Sequence, residues 1–284
     1  MVMTEYNLMS RLALVLLVAA FVISACQVKE VPLQESRVTV LSAEIDASTK
    51  AAVSDAGAVS WTSGDSISVF DGDAFETLVL VSGDGTATGE FRGNMFAPAQ
   101  TCALYPASAQ HACDGSRVNF YLPDSYAYAE NGNARMPMMA LVSGTGNLKF
   151  RQLGGVIKVR YNGIPAAADR FVFGARGLRV SGNYTIPLSK ESILVAEAGS
   201  TGNTVSIHFS PSASISSRTF YVPLPTGEYP DFYVALYAGN SLLDLHNGRH
   251  AMNVIAKGTL LIMPTISVTG GVSSTEYFQE ENIW

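Results

Sequence analysis

Histidine, cysteine and acidic side chains would build a metal or nucleophilic centre, and this sequence offers few arrangements of them. It contains 4 His and 3 Cys in 284 residues. His246 and His250 have the HxxxH spacing that, on a helix, places two imidazoles on one face for zinc. Asn247 and Gly248 between them indicate a turn instead, and no Glu follows His246 to act as a base. We therefore interpret both histidines as exposed loop residues and predict no metal site.

Other catalytic patterns are equally weak. Asp71, Gly72 and Asp73 match the start of a calcium loop, but the further oxygen ligands and the closing Glu are missing, so a hairpin turn is predicted there. A glycosidase needs two converging carboxylates, and the 24 acidic residues single out no pair. The nucleophile elbow and the glycine-rich phosphate loops do not occur. The sequence therefore predicts a protein that is not an enzyme and that needs no cofactor.

Cys26 is the cysteine with the most specific context. The apolar run Leu12–Ile23 follows Arg11 and is too short to span a membrane, which is typical of a signal-peptide core. Small residues, Ser24 and Ala25, directly precede Cys26, as in the lipobox of bacterial lipoproteins. We predict a signal peptide over 1–25 and acylation of Cys26, which would anchor the exported chain stably to a membrane; the alternative is an ordinary signal peptide.

Two further sets of residues carry open alternatives. Cys102 and Cys113 both lie in the exported part, where an oxidising compartment permits a disulfide, and two unpaired thiols are the alternative.

Tyr121, Tyr126 and Tyr128 lie near Asp124 and the amides of 131–133. Such a loop could stack on sugar rings and bind their hydroxyl groups, or its rings could pack on the rim of the fold.

Composition and patterning define the fold class. Hydrophobic residues make up 48% and charged residues 15%, which supplies a large core, and the net charge of -6 with scattered Lys and Arg predicts no nucleic-acid partner. Period-two alternation, typical of half-buried strands, recurs along the chain. It occurs at 38–41, 66–70, 118–122, 156–161, 171–173, 205–209, 219–224 and 231–237.

Turn signals separate these runs, at 63–65, 71–73, 83–85, 131–133 and 181–183. An all-β architecture follows. A β-sandwich holds roughly 100 residues, so the exported chain predicts two of them in tandem. We place a tether at 26–36, an N-terminal β-sandwich at 37–152, a C-terminal β-sandwich at 153–268 and a polar tail at 269–284.

Several stretches, taken in order, resemble the fimbrillin-like lipoproteins of Bacteroidetes, the family of FimA- and Mfa-type pilus subunits with their anchor and tip relatives. The match covers most of residues 26 to about 190 and includes the lipobox. Its stretches are Val59–Phe70 with Trp61, Ala103–Pro106, Leu122-Pro123, Met136–Ala140 and Leu148–Val159. Trp61 is expected to be a buried indole before a tight turn, and Tyr105-Pro106 to end a strand.

This resemblance implies the fold, the location and the partners. It implies antiparallel Greek-key, transthyretin-like sandwiches in a subunit that is lipid-anchored at the outer membrane and exposed at the cell surface. It implies assembly with other fimbrial subunits by strand donation after an Arg-specific protease trims the N-terminus, with Arg37 as the matching position. The segment 259–268 with the tail is the donor candidate, and an ordinary edge strand is the alternative for it. The alternative function is a stand-alone surface adhesin or glycan-binding lipoprotein whose partners are host or bacterial surface glycans or proteins.

Overall fold

The computed structural model describes residues 37–46, 60–95, 102–129, 135–142, 147–249 and 254–268. These residues form strands, turns and irregular segments, with no α-helix among them. The predicted all-β class is therefore confirmed. No helix in these ranges is long and apolar enough to cross a membrane.

The strands in the N-terminal part are β1 (Arg37–Ile45), β2 (Ser66–Phe70), β3 (Phe75–Ser82), β4 (Thr88–Met95), β5 (Cys102–Tyr105), β6 (Ala112–Cys113), β7 (Arg117–Leu122), β8 (Ser125–Ala127), β9 (Met138–Leu141) and β10 (Asn147–Gln152). Those that follow are β11 (Gly155–Asn162), β12 (Arg170–Ala175), β13 (Leu178–Arg179), β14 (Gly182–Pro187), β15 (Glu197–Ala198), β16 (Thr204–His208), β17 (Ser217–Leu224), β18 (Gly227–Glu228), β19 (Asp231–Ala238), β20 (Ser241–Arg249), β21 (Val254–Ile255), β22 (Leu260–Ile262) and β23 (Ile266–Ser267).

Seven of the strands form a sheet that closes on itself, in the order β1-β10-β9-β5-β2-β3-β4. The β1–β10 pair is parallel and the other pairs are antiparallel. Inward-facing apolar side chains from all seven strands surround Trp61 and form the inner cluster. The indole makes edge-to-face contacts with Phe91, Tyr105 and Phe150, at centroid distances of 4.9, 5.4 and 5.4 Å. Trp61 is therefore buried before the turn at 63–64, as the sequence predicts.

A four-stranded sheet and a five-stranded sheet enclose the largest group of apolar side chains. The first has the order β17-β11-β22, with β23 also pairing with β11, and the second has the order β20-β19-β12-β16-β8. Their facing side chains form the C-terminal cluster, in which Phe171 and Phe220 stack with centroids 4.3 Å apart. The Greek-key connection of two such sandwiches stays a prediction.

A three-stranded sheet, β14-β7-β6, covers part of the outer face of the closed sheet. Side chains between these two sheets form the shared cluster, to which β5 contributes Cys102 and Leu104 and β14 contributes Tyr184 and Ile186. The strands β7 and β14 pair with each other, and β8 pairs with β16. Both pairs join strands from opposite sides of the predicted boundary after residue 152, and the division into two domains stays a prediction.

Period-two alternation located the strands well because it reports which residues face a core. All eight predicted runs lie in observed strands, except that Phe209 lies one residue beyond the end of β16. Turns follow the glycine signals at 63–65, 71–73 and 83–85. The signal at 181–183 is different, because Gly182 and Asn183 lie in β14, and residues 131–133 lie outside the described residues. At 71–73 the Asp71 N–H donates to the Ala74 carbonyl at 3.1 Å, and the Asp71 carboxylate accepts from the N–H groups of Asp73 and Ala74. The predicted hairpin turn at 71–73 is thus confirmed, and β5 ends at Tyr105 before Pro106 as expected.

Candidate functional site: the open edge of strand β1

Arg37 is the first residue of β1 and is exposed. The inward-facing residues of the same strand, Leu41, Ala43 and Ile45, are buried in the inner cluster. The strand is thus anchored in the closed sheet by its C-terminal half, while its N-terminal half emerges at the surface. A protease that recognises arginine would find Arg37 where β1 begins, and residues 26–36 lie outside the described part of the chain.

One edge of β1 is only partly occupied. On one side, Arg37–Glu44 pair antiparallel with Met95–Thr88 of β4. On the other side, only Ser42–Ile45 pair, in parallel, with Asn147–Phe150 of β10. Among the described residues, Arg37–Leu41 therefore have main-chain hydrogen-bonding groups on this side that no strand uses. An extended peptide can add to such an edge through backbone hydrogen bonds.

The side chains along this open edge are apolar at alternate positions. Val38 and Val40 point outward and are 62% and 52% exposed. Val79 and Val81 of β3 are also exposed on the same outer side, across the intervening strand β4. Arg92 of β4 is exposed and lies between Val40 and Val79, so the four valines form two exposed apolar pairs on either side of β4.

The segment predicted as a strand donor is already paired within the chain. Residues 260–262 form β22 and residues 266–267 form β23, both parallel to β11. Met263, which lies between these two strands, and Ile266, which lies in β23, are buried in the C-terminal cluster. This arrangement is that of an ordinary edge strand, the alternative stated for the segment, and the tail 269–284 lies outside the described residues. Cys26 lies outside them as well.

Cys102 and Cys113 are neighbours, and both are present as free thiols. Cys102 is the first residue of β5 and is fully buried in the shared cluster, whereas Cys113 is half-buried in β6. Burial, and secondarily the nearby Cys113, raises the pKa of the Cys102 thiol well above its ordinary value, so Cys102 is a poor nucleophile. The disulfide between them stays a prediction.

The three tyrosines proposed to contact glycans do not share one exposed face. Tyr126 in β8 is buried in the C-terminal cluster. Tyr128 packs against Phe220 with centroids 5.6 Å apart, and the Arg218 guanidinium lies over its ring at 4.8 Å. Tyr121 in β7 is half-buried. Two of the rings thus pack on the fold, which is the alternative stated for them from the sequence.

His246 lies in a place that sequence reasoning missed. The expectation of an exposed loop histidine is wrong, because His246 belongs to β20 and is 1% exposed. Its Nε2 lies 2.7 Å from the carboxylate of Asp244, which is fully buried, and its ring lies 6.1 Å from that of Tyr161. The period-two spacing of Asp244 and His246 was the available signal, since it places both side chains on one face of a strand. His250 lies outside the described residues.

Within the described ranges, no group of three or more His, Cys, Asp or Glu side chains is arranged to hold a metal ion. No protein-family model matches the sequence, and no curated protein matches it either.

Comparison with solved structures gives matches along most of the chain. A candidate cell adhesion protein from Bacteroides ovatus matches with a TM-score of 0.49 and 11% identity, covering 88% of this chain and 99% of that chain. A candidate cell adhesion protein from Bacteroides uniformis gives a TM-score of 0.41 and 15% identity, covering 81% and 94%. The tip fimbrial protein Mfa3 from Porphyromonas gingivalis gives 0.32 and 11%, covering 82% and 96%. These structures are two candidate cell adhesion proteins of Bacteroides and one tip fimbrial protein of Porphyromonas gingivalis.

Proposed function

We propose that this protein is an exported lipoprotein, anchored at the outer membrane through an acylated Cys26 and exposed at the cell surface. There it serves as a structural or accessory subunit of a fimbria and associates with other subunits by strand donation. It performs no catalysis in this role. The single observation that carries the proposal is the open edge of β1 beside Arg37.

The open edge supplies what a donated strand needs. Its unpaired backbone groups, at Val38–Leu41, provide affinity, and the alternation of exposed Val38 and Val40 provides register. Cleavage after Arg37 would make Val38 the first residue of β1. The strand itself would stay in place, because its C-terminal half is buried in the inner cluster.

In this proposal the protein folds as two tandem Greek-key β-sandwich domains, at 37–152 and 153–268. Its support is that the inner cluster draws on residues 41–156, while the C-terminal cluster draws on residues 157–266 together with Tyr126. Two separate cores of this kind suit two domains that share the sheet β14-β7-β6 between them.

The test is mass spectrometry on protein released from intact cells, before and after treatment with an Arg-specific protease. We expect an acylated Cys26 before treatment and a new N-terminus at Val38 afterwards, with SDS-resistant oligomers forming as Val38 appears. The variant Arg37→Lys keeps the charge but removes the cleavage site, so it should stay monomeric. The matched control is Arg92→Lys, at an exposed position of β4, which should still be cut at Arg37 and oligomerise.

Other outcomes would contradict the proposal at identifiable points. A lipidated, surface-exposed chain that is never cut at Arg37 and stays monomeric would contradict assembly by strand donation and favour a stand-alone adhesin. The absence of lipid on Cys26 would contradict the anchor. Oligomers that form equally well from Arg37→Lys would show that the edge of β1 needs no processing.

A further inference from the structure

A cleft of about 210 Å³ lies on the outer face of the closed sheet, and its lining residue Asn147 pairs with Ser42, next to the open edge of β1. Its floor is formed by alternate residues of β9 and β10, which point away from the inner cluster. Its walls come from two segments distant in sequence, the loop at 189–192 and the turn that holds Lys257. The lining residues are Met139, Leu141, Asn147, Lys149, Arg151, Leu153, Ser189, Lys190, Ser192 and Lys257.

Four of these residues are cations, in a chain whose net charge is -6. Lys149 and Arg151 are two positions apart on β10, so both side chains project from the same face. Lys190 and Lys257 approach from the walls. The cleft therefore concentrates positive charge on an otherwise acidic protein, which attracts an anion and orients it.

Three carboxylates lie near the cleft, and its four cations outnumber them. Glu44 of β1 is exposed and lies opposite Lys149 in the parallel pair of β1 and β10. Asp46 forms an ion pair with Arg151, in which the Arg151 Nε lies 3.1 Å from the Asp46 carboxylate. Glu191 is exposed next to Lys190 in the chain, and its carboxylate attracts the Lys257 ammonium. Among the described residues, no acidic side chain forms an ion pair with Lys149, Lys190 or Lys257. Four cations against three carboxylates leave an excess of positive charge.

The walls of the cleft are held in place before any ligand arrives. The Leu194 N–H donates to the Leu153 carbonyl at 2.7 Å, and the Gly258 N–H donates to the Gly154 carbonyl at 2.8 Å. The Lys257 ammonium donates to the carbonyl of Ser192 at 3.3 Å, which joins the two walls. Burial, and secondarily repulsion by Arg151, lowers the pKa of Lys257. A bound anion would relieve that repulsion, so the arrangement is preorganised for negative charge.

The shape of the cleft distinguishes between classes of anionic ligand. Both edges of β10 are already paired, with Phe150 lying opposite Ile45 of β1 and Ala140 of β9, so a peptide strand cannot add here. The volume is below the roughly 300–1,000 Å³ of pockets for drug-sized molecules. Hydroxyl and amide groups of Ser189 and Asn147 stand among the cations, above an apolar floor. A compact, hydroxylated anion with one apolar face fits this combination.

We infer that this cleft binds an acidic sugar residue, a uronate or a sulfated sugar, through Lys149, Arg151, Lys190 and Lys257. The acid group lies among the cations, the ring hydroxyls bond to Asn147 and Ser189, and the ring rests on Met139 and Leu141. This activity goes beyond the proposed fimbrial role. It requires neither cleavage at Arg37 nor strand donation, so it can fail while that role stands.

The experiment is isothermal titration of the full-length protein in detergent with an oligogalacturonate and with a sulfated disaccharide, each beside its neutral analogue. We expect binding of an acidic sugar, weaker binding at higher salt, and no binding of the neutral analogues. Lys149→Gln and Lys257→Gln should each raise the Kd about ten-fold or more, since each removes a charge-assisted contact. Arg92→Gln removes one exposed charge from β4, outside the cleft, and should leave the Kd unchanged.

Four outcomes would overturn the inference. These are equal binding of neutral and acidic sugars, equal Kd values for all three variants, inorganic sulfate binding as tightly as the sugars, and an acidic peptide binding more tightly with the same dependence on Lys149 and Lys257. The last outcome would assign the cleft to a protein segment. Circular dichroism of each variant checks that the fold is retained, so loss of binding reports on the cleft itself.

Discussion

Buried polar side chains decide much of the chemistry at the scale of single residues. His111 is 7% exposed and lies between the rings of Phe75 and Phe120. The Tyr121 N–H donates to its Nδ1 at 3.0 Å, which leaves Nε2 to donate to the Pro106 carbonyl at 3.0 Å. These two bonds suit the neutral imidazole, and protonation at Nδ1 would break the first. Burial accordingly lowers the pKa of His111 below its ordinary value of 6.5.

The first prediction concerns the pH dependence of unfolding. Because the folded-state pKa of His111 is depressed, the unfolded chain takes up a proton first as pH falls below 6.5. His111 therefore contributes stability that is present above pH 6.5 and is lost as pH falls towards its folded-state pKa. His111→Gln should remove up to about 1.4 kcal/mol per pH unit of that slope, measured by urea unfolding across this range. His208→Gln, at an exposed position, is the control, and an unchanged slope in His111→Gln would contradict the assignment.

The second prediction concerns the buried pair of Asp244 and His246. The two side chains are buried 2.7 Å apart, and removing one leaves the other without this partner, at a cost of about 1–3 kcal/mol. Asp244→Ala should lower the free energy of unfolding by about that amount. The matched control is Asp231→Ala, which breaks a pair with Arg176 near the surface at 2.6 Å and should cost about 0–1 kcal/mol. Equal losses in the two variants, in chemical denaturation, would refute the buried-pair assignment.

At the scale of elements, local signals located strands correctly but misjudged one glycine. Asn247 and Gly248 indicate a turn by composition, yet both lie within β20. Gly248 is opposite Phe232 of β19, and the Phe232 ring covers it. Glycine is needed there because an added Cβ would come within 2.2 Å of that buried ring. A cross-strand contact, invisible in the local sequence, therefore explains the residue type.

The third prediction follows from this contact. Gly248→Ala should destabilise the protein by about 1–3 kcal/mol, because the buried Phe232 ring cannot move away without disturbing the C-terminal cluster. Thermal and urea unfolding measure the loss. Gly199→Ala serves as the control, since the added Cβ would meet its nearest neighbour at an ordinary 3.5 Å. A neutral effect at Gly248 would mean that Phe232 is less constrained than its burial indicates.

At the scale of the whole molecule, the shared cluster couples the two halves of the chain. Phe120 and Leu122 of β7 pack there with Tyr184 and Ile186 of β14, and β8 completes the five-stranded sheet. Neither half buries all of its apolar side chains without the other. Whatever the number of domains, their stabilities are linked through this sheet and this cluster.

The fourth prediction is a single cooperative unfolding transition. In a Trp284→Phe variant, Trp61 is the one remaining tryptophan and reports on the inner cluster, while circular dichroism reports on all sheets. The two probes should give the same midpoint in urea, because the shared cluster cannot be half lost. Phe120→Ala should lower that midpoint for both probes together. Separate midpoints in the parent variant would contradict the coupling and indicate independently stable domains.

The sequence by itself determined the all-β class, most strand positions, the turns at 63–65, 71–73 and 83–85, and the burial of Trp61. These are local properties, since a period of two records which side of a strand faces a core. The tertiary structure alone decided which strands pair, and hence the closed sheet, the open edge of β1 and the partners of β8 and β14. It also placed Lys149 and Lys257 in one cleft and buried His246 beside Asp244. Strand pairing depends on burial and hydrogen bonding between distant segments, and no local spacing encodes those contacts.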